Sequence, residues 1–239
     1  MIRVEGARKR YAAATAVDGV SFDAADGVVT GLLGPNGAGK TTSLRMMSGM
    51  IRPDAGEVRV DGIDAVREPR RAQAHLGVLP DSPGLYARLT CREHIRYFGN
   101  LRGLRGPGLE QRIDRWIEEL DLGAIADRRV GGFSHGERTK VALAQALVHE
   151  PRNILLDEPT NGLDVMSTRA VRALVRRLKS QGRCVVFSSH VMQEVAALCD
   201  RIVVIAAGRV VAQGAPAELL AITGTGSVED AFMKLVDIH

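Results

Sequence analysis

The sequence predicts an α/β fold with a mixed sheet core, an N-terminal antiparallel β subdomain and a helical insertion. Three observations lead to this prediction. An apolar strand pattern at residues 28–33 runs into a glycine-rich turn and a helical pattern. Helical periodicity then dominates residues 86–148. Strand, helix and strand patterns alternate over residues 154–187, which is typical of a βαβ unit in a parallel sheet.

The N-terminal third shows short strand patterns separated by turns. They lie at residues 2–4, 17–22, 28–33, 57–60 and 76–79. The apolar run at 28–33 favours a strand that is buried on both faces. The others fit a partly antiparallel sheet that leads into a parallel core.

The helical insertion is marked by a capping box at Thr90 and Glu93. It also has an apolar stripe at i, i+3, i+4 and i+7, formed by Ile113, Trp116, Ile117 and Leu120. Further on, strand patterns at 154–156 and 184–187 flank a helix, and its apolar face is Val171, Leu174, Val175 and Leu178. Patterns at 202–205 and 210–212 indicate a hairpin, and a short helix follows residues 223–226.

These elements predict one domain over residues 1–239. Its catalytic core subdomain would comprise residues 1–85 and 150–215. Residues 86–149 would form a helical subdomain, and residues 216–239 a C-terminal extension.

Composition places the chain among ordinary globular proteins. Apolar residues make up 45% and charged residues 25%, which argues against disorder and against a fibrous architecture. No window approaches the roughly 18 consecutive apolar residues that a membrane helix needs, and the first residues lack the apolar stretch of a signal peptide. We therefore expect any membrane role to depend on a partner protein.

Charge and cysteine usage argue against further classes. Lys and Arg number 32 against 28 Asp and Glu, and this small excess is spread along the chain, so no nucleic acid partner is expected. The cysteines Cys91, Cys184 and Cys199 are widely spaced and form no C-x-x-C pattern. This usage argues against a disulfide framework and a zinc site, and it favours the reducing cytoplasm.

A glycine-rich segment matches the phosphate-binding pattern G-x-x-x-x-G-K-[ST]. Its residues, with the threonine that follows, are Gly34, Pro35, Asn36, Gly37, Ala38, Gly39, Lys40, Thr41 and Thr42. The segment lies between the apolar strand and a helical pattern at 41–47, where backbone N–H groups can cradle phosphate. Lys40 can reach the β- and γ-phosphates, and the Thr41 hydroxyl can bind Mg²⁺. A turn formed only for packing is the competing interpretation, and the flanking strand and helix argue against it.

Two acids follow an apolar strand pattern at residues 153–156. Asp157 stands at the carboxyl end of this strand, where the ligands of open α/β sheets collect. In P-loop enzymes this Asp holds magnesium, usually through water, and the adjacent Glu158 can polarise the attacking water as general base. Without the phosphate loop, two acids ending a strand before the turn at Pro159 would be a strong alternative explanation.

One histidine directly follows the second strand of the βαβ unit. His190 comes after the strand pattern at 184–189, so it should emerge at the same sheet edge as Asp157. There it can donate to a γ-phosphate. Taken alone, a histidine at a strand end is more often a structural hydrogen-bonding residue.

Together these motifs resemble the ABC transporter ATPase family, over nearly the whole chain. The family's Leu-Ser-Gly-Gly-Gln signature has as its counterpart here the segment Phe133, Ser134, His135, Gly136 and Glu137. The stretch that ends at Asp164 resembles the D-loop, and His190 the switch histidine. Tyr11 stands where the family stacks an aromatic ring on adenine, although a surface tyrosine would also fit there.

The resemblance implies a P-loop NTPase fold and an ATPase that uses ATP and Mg²⁺, with Lys40, Glu158 and His190 as its catalytic residues. It implies an ATP-dependent head-to-tail dimer, in which each ATP is held by the P-loop of one copy and the signature of the other. Ser134 and Gly136 would contact the γ-phosphate in trans. It also implies an integral membrane permease as partner, and a cytoplasmic position on the inner face of the cell membrane.

Three departures from the family pattern matter. Asp81 replaces a glutamine that senses magnesium and signals to the permease. A carboxylate can ligate Mg²⁺ but cannot donate a hydrogen bond when ionised. We therefore expect Asp81 still to couple the ATPase to the permease, with a tighter dependence on Mg²⁺. His135 and Glu137 replace Gly and Gln of the signature. Ser134 and Glu137 also fit a capping box, and we expect Glu137 to point back toward the cap.

The sequence of residues 77–90 and 157–166 resembles that of the sodium-extruding NatA-type subunits. Since specificity resides in the permease, sodium export is an analogy, and drug, lipid or polysaccharide export stays open. A soluble ABC-type ATPase that acts on ribosomes or nucleic acid is the alternative. A single P-loop and the lack of sustained heptads oppose it. A second alternative is a regulator that binds nucleotide without hydrolysing it. Glu158 argues against this alternative, because its predicted role is that of a general base for hydrolysis.

Overall fold

Two β-sheets organise the fold in the computed structural model, which describes residues 1–12 and 14–237. Their strands are β1 (Ile2–Tyr11), β2 (Ala14–Ala24), β3 (Val29–Leu33), β4 (Ala55–Val60), β5 (Ile63–Asp64), β6 (Leu76–Leu79), β7 (Asn153–Asp157), β8 (Cys184–Ser189), β9 (Arg201–Ala206) and β10 (Arg209–Gly214). The first sheet is antiparallel, in the order β2-β1-β4-β5. The second has the order β10-β9-β3-β8-β7-β6, and only β10 runs antiparallel in it. The predicted mixed sheet and antiparallel β part are confirmed.

The helices pack on the two sheets and on one another. They are α1 (Lys40–Met47), α2 (Pro69–Ala74), α3 (Cys91–Leu101), α4 (Gly106–Glu119), α5 (His135–Leu147), α6 (Val165–Ser180), α7 (Met192–Leu198), α8 (Pro216–Thr223) and α9 (Val228–Asp237). No helix in the described ranges combines the length and the apolar character needed to cross a bilayer.

Hydrophobic cores lie on both faces of the mixed sheet, which explains the apolar runs in its strands. Every residue of β3, β7 and β8 is buried. On one face, Leu155 and Val186 pack into the core shared with the antiparallel sheet. On the other face, Ile154 and Phe187 join the core under the helices. Alternate residues therefore face two apolar layers, as expected for a buried parallel strand.

The parallel register brings the chemically important strand ends to one edge. Leu33 pairs with Ser189, and Asp157 pairs with Ser188. The glycine-rich turn, the two acids and His190 therefore leave the sheet side by side, as open α/β sheets require of a ligand site.

The helical insertion forms where the sequence predicts it. Thr90 caps α3, and both hydrogen bonds of its capping box with Glu93 are present. The predicted stripe on α4 is buried, including Ile113 and Trp116, and α3, α4 and α5 pack together. The subdomain boundaries after residues 85, 149 and 215 stay a prediction.

Several elements differ from the sequence prediction. Helix α2 was not predicted because it buries only Ala72 and so shows no apolar periodicity. Helix α5 ends at Leu147, one residue before the end of the stretch at 86–148 that shows helical periodicity. The C-terminal part holds two helices, α8 and α9, where one was predicted.

Candidate functional site

The glycine-rich turn between β3 and α1 requires glycine at two positions. A Cβ at Gly34 would lie 2.3 Å from the carbonyl oxygen of Ile205. Gly39 has a φ of 104°, and its Cβ would lie 2.4 Å from the carbonyl oxygen of Ala16. Side chains there would collide with backbone that cannot easily move, and at Gly39 they would also strain the chain. The turn is therefore packed tightly against neighbouring strands.

Lys40 is held inside this turn. Its side chain is only 6% exposed, and its Nζ donates to the carbonyl oxygens of Gly34, at 2.7 Å, and Pro35, at 3.2 Å. The same Nζ lies 3.5 Å from Oε1 of Glu158. The turn thus fixes a nearly buried cation beside the acid that follows β7.

Asp157, the last residue of β7, is buried and accepts two hydroxyl hydrogen bonds. Ser188 Oγ donates to Asp157 Oδ1 at 2.6 Å, and Thr41 Oγ1 donates to the same oxygen at 3.2 Å. Burial raises the pKa of Asp157, the two hydroxyls partly offset this, and the charges of Asp81 and Glu158 raise it further. The excess of negative charge here favours a cation.

The general-base candidate and the histidine are in direct contact. His190 Nδ1 lies 2.9 Å from Glu158 Oε2. The backbone at Glu158 has a φ of 48°, which is unusual for a non-glycine residue, and its N–H donates to Ser188 Oγ at 3.0 Å. The left-handed backbone turns Glu158 from the direction of the strand, so the two acids take different partners.

A cavity of about 510 Å³ lies at this edge of the sheet. Its lining is Tyr11, Ala16, Pro35, Asn36, Gly37, Ala38, Gly39, Lys40, Thr41, Thr42, Asp81, Glu158, Asn161 and His190. The volume lies within the range of ligand pockets, roughly 300–1,000 Å³. The lining includes Tyr11 and Asp81, so both residues lie near the phosphate loop. Tyr11 is 44% exposed. The roles of both residues stay predictions.

Sequence reasoning missed three residues around this cavity. Ala16 and Asn161 line it, and Ser188 fixes both Asp157 and the backbone of Glu158. Ser188 stands two residues before His190, so the strand register, had it been known, would have placed it opposite Asp157.

The oxygen ligands fit magnesium. Thr41 and Asp157 present a hydroxyl and a carboxylate at one point, and Asp81 adds a carboxylate at the cavity. Magnesium is commonly bound by one or two carboxylates together with substrate phosphates. Across residues 1–12 and 14–237, the side chains of His, Cys, Asp and Glu form no group of three or more that could hold a metal ion.

Asp157→Asn is expected to stabilise the chain in the absence of nucleotide. Because the pKa of Asp157 is raised in the folded state, its ionisation destabilises the fold. This destabilisation is complete above the folded-state pKa, and it decreases as the pH falls toward the ordinary value of 3.8. The amide oxygen can still accept from Ser188. Thermal unfolding at pH 7 should show a higher Tm, by roughly 2–4 °C for each kcal/mol recovered, and the gain should be smaller at the ordinary aspartate value of pH 3.8.

The same variant is expected to lose the Tm increase that Mg·ATP would give the parent, because the predicted magnesium ligand is removed. Asp121→Asn, at a fully exposed side chain, is the matched control and should change neither quantity. A lower Tm for Asp157→Asn without nucleotide would contradict the assigned cause of the pKa shift.

The signature counterpart caps α5. Ser134 Oγ accepts from the N–H of Glu137 at 3.3 Å, and Glu137 Oε2 accepts from the N–H of Ser134 at 2.7 Å. These hydrogen bonds lower the pKa of Glu137, and the bond from the backbone N–H of Ser134 has the larger effect. Glu137 therefore points back toward the cap, as expected. Ser134, Gly136 and Glu137 lie outside the 510 Å³ cavity, whose described lining contains none of them.

The signature also contacts the segment that follows Glu158. His135 Nε2 lies 2.9 Å from the carbonyl oxygen of Asn161, to which it donates. A Cβ at Gly136 would lie 2.8 Å from Ser167 Oγ. Asp164, the D-loop candidate, caps α6 by accepting from the N–H and the hydroxyl of Ser167 at 2.9 and 2.8 Å. The signature and the D-loop candidate are thus packed together within one chain.

Glu137→Ala is expected to destabilise the chain by about 0.5–2 kcal/mol, because it removes one half of a capping box. Its lowered pKa means that the carboxylate stabilises the fold above the ordinary glutamate value of 4.5, and that this contribution is lost as the pH falls through the lowered value. Urea unfolding at pH 7 checks the loss. Glu137→Gln, which can keep the capping hydrogen bond, should lose less, and equal stability of Glu137→Ala and the parent would contradict the assignment.

Comparisons with known proteins agree with this geometry. A family model described as ABC transporter matches residues 17–161. The ABC transporter ATP-binding protein NatA of Bacillus subtilis is 45% identical over 84% of this chain and 82% of its own length. The Nod factor export ATP-binding protein I of Paraburkholderia xenovorans is 40% identical over 92% of this chain and 72% of its own. A solved ATP-binding subunit of an ABC transporter superposes with a TM-score of 0.92 at 27% identity, covering 98% of this chain and 99% of that structure.

Proposed function

Because this chain belongs to the ATP-binding subunits of ABC transporters and is an ATPase, we propose that it powers export through a separate integral membrane permease. The observation that carries the proposal is one cavity at the sheet edge, which Lys40, Glu158 and His190 line. Asp157 lies beside it, hydrogen-bonded to Thr41 of the same lining. Export is supported by the relative that is named for Nod factor export.

In the proposed reaction, ATP lies in the cavity with its phosphates in the glycine-rich turn. Lys40 binds the β- and γ-phosphates, and the backbone N–H groups of the turn and of α1 bind the remaining oxygens. Glu158 accepts a proton from the attacking water, and His190 donates to the γ-phosphate. Thr41, Asp157 and Asp81 would hold magnesium, which neutralises charge on the phosphates when it is bound. Tyr11 stacks on the adenine.

We further propose that two copies of the chain pair head to tail around two ATP molecules. Ser134 and Gly136 lie at the N-terminus of α5 and outside the chain's own cavity. A helix N-terminus attracts anions, so the signature of one copy is suited to the γ-phosphate held by the other. Binding two ATP molecules then closes the dimer, and hydrolysis loosens it.

A mixing experiment tests the composite site. Lys40→Ala inactivates the P-loop of its chain, and Ser134→Arg blocks the signature, so each variant alone should not hydrolyse ATP. A 1:1 mixture should regain about a quarter of the parent rate, because random pairing makes half the dimers mixed and each mixed dimer keeps one intact site. A mixture of Lys40→Ala with Glu158→Gln should stay inactive, since every site then carries one defect. No recovery in the first mixture, with both variants folded, would contradict the dimer.

Asp81→Ala is expected to raise the Mg²⁺ concentration for half-maximal ATPase activity by roughly 10-fold, because Asp81 supplies one carboxylate at the cavity. We propose that this residue performs the coupling task of the family's glutamine. Titration of Mg²⁺ at fixed ATP measures the effect, with Asp121→Ala as the matched control. An unchanged Mg²⁺ dependence would rule out the metal role of Asp81.

We propose sodium ions as the exported substrate, on the strength of the similarity to NatA. ATP-driven movement of ²²Na⁺ in inside-out vesicles that carry the chain with its permease tests this proposal. If ATP is hydrolysed but ²²Na⁺ does not move, sodium is ruled out as the substrate, and the proposal that the chain powers export is unaffected. We also propose a cytoplasmic position at the inner membrane face, with residues 86–149 forming the subdomain that faces the permease.

A further inference from the structure

Glu194, in the first turn of α7, is a charged side chain inside the protein. The residue is only 5% exposed. Its Oε2 accepts a hydrogen bond from Thr160 Oγ1, and its Oε1 lies 3.4 Å from Nη2 of Arg172. A buried carboxylate is costly without such partners, so these two contacts determine where Glu194 can stay.

The partners of Glu194 belong to segments that carry the site. Thr160 lies two residues after Glu158, and Glu194 lies four residues after His190. Arg172 is on α6, the helix that Asp164 caps. Glu194 therefore connects the loop after β7, the helix that ends this loop, and the segment after β8.

The backbone at Glu158 needs support on both sides. Its φ of 48° costs energy for a glutamate, and such a conformation persists only where the surroundings hold it. On one side, Ser188 Oγ accepts the N–H of Glu158 at 3.0 Å. On the other side, Pro159 restricts the chain and Thr160 is anchored to Glu194.

The same anchor joins the two segments that carry Glu158 and His190. Their 2.9 Å contact joins the ends of two neighbouring strands, beyond the last paired residues of the sheet. Past that point, the Thr160–Glu194 hydrogen bond ties the two outgoing segments together. This is a direct side-chain contact between the loop after Glu158 and the segment after His190.

We propose that Glu194 is a positioning residue for ATP hydrolysis: through Thr160 it holds Glu158 and His190 in their reactive arrangement without touching the nucleotide. This inference rests on the proposed roles of Glu158 and His190. Misplacement of a reacting group by about 1 Å can cost up to roughly 100-fold in rate, so a lost anchor should appear in kcat.

Substitutions at Thr160 and Glu194 test the anchor in the full-length chain. Thr160→Val and Glu194→Ala should each lower kcat by roughly 10- to 100-fold with an unchanged KM for ATP, since neither residue lines the cavity. Thr160→Ser keeps the hydroxyl and should restore most of the rate. The double variant should be no slower than the worse single variant, because both remove one interaction.

The matched control is Thr223→Val, which removes a buried hydroxyl that donates to Leu219 in α8. It should lose stability without losing kcat. If Thr160→Val and Glu194→Ala lower only the Tm and hydrolyse ATP like the parent, Glu194 is structural and the proposal is wrong.

A Glu158→Gln background separates this proposal from the function on which it rests. Since Glu194 is proposed to hold both Glu158 and His190, Glu194→Ala should slow the residual single-turnover hydrolysis of Glu158→Gln by a smaller factor than it slows the parent. An equal additional loss in that background would overturn the positioning role. If Glu158→Gln itself hydrolyses ATP like the parent, the proposed base fails, whereas a slow Glu158→Gln with fast Thr160→Val and Glu194→Ala removes only the anchor.

Discussion

Glu158→Gln is expected to lower the rate of ATP hydrolysis by roughly 10²- to 10⁴-fold, because a glutamine cannot accept the proton of the attacking water. The side chain lies between a cation and a histidine, with Oε1 3.5 Å from Lys40 Nζ and Oε2 2.9 Å from His190 Nδ1. The amide keeps the size of the carboxylate, so the affinity for ATP should stay close to that of the parent. ATP bound without turnover should then hold the dimer closed.

Two measurements check this prediction. Phosphate release reports the rate, and size-exclusion chromatography with ATP reports the dimer. Glu150→Gln is a matched control, since Glu150 is also a glutamate in the left-handed backbone region but pairs with Arg112 and Arg115 on α4, outside the cavity lining. It should hydrolyse ATP like the parent. Full activity of Glu158→Gln would remove Glu158 as the base.

Lys40→Ala is expected to lower kcat/KM for ATP by roughly 10³-fold, because it removes the one cation held within the described part of the phosphate loop. The ammonium is fixed by the carbonyl oxygens of Gly34 and Pro35, so little reorganisation is needed when phosphate enters. Removing it also leaves Glu158 without its cationic neighbour. Both the affinity for ATP and the rate should therefore fall.

Fluorescent ATP titration and phosphate release separate the two effects. The matched control is Lys140→Ala on α5, where the lysine lies 3.8 Å from an exposed aspartate, Asp121. That variant should bind and hydrolyse ATP normally. Normal ATP binding by a folded Lys40→Ala variant would contradict the phosphate role of Lys40.

Much of this site follows from the sequence because strand ends are easy to recognise. The apolar runs that become β3, β7 and β8 are buried on both faces, so their periodicity differs from that of a half-exposed strand. Residues that follow such strands must share one sheet edge, which places Gly34, Asp157 and His190 together. The predicted family resemblance is confirmed by the matching model and by NatA.

Other parts depend on contacts that no local pattern records. Ser188 lies opposite Asp157 only because of the register between β7 and β8. Thr160 and Glu194 are 34 positions apart, and nothing in either local sequence predicts their hydrogen bond. Helix α2 escaped prediction for a different reason, since a six-residue helix that buries one alanine has no amphipathic signal.

The packing of the signature against the loop after Glu158 has a consequence for how a pair of such chains would work. In each copy, the His135 imidazole donates a hydrogen bond to the backbone of Asn161. Gly136 packs so closely against Ser167 that a Cβ would not fit between them. The surface that we propose to bind the partner's nucleotide therefore packs against the loop that follows the proposed base, Glu158. In the proposed dimer, a movement of the loop after Glu158 at one site would therefore be passed to the signature at the other site.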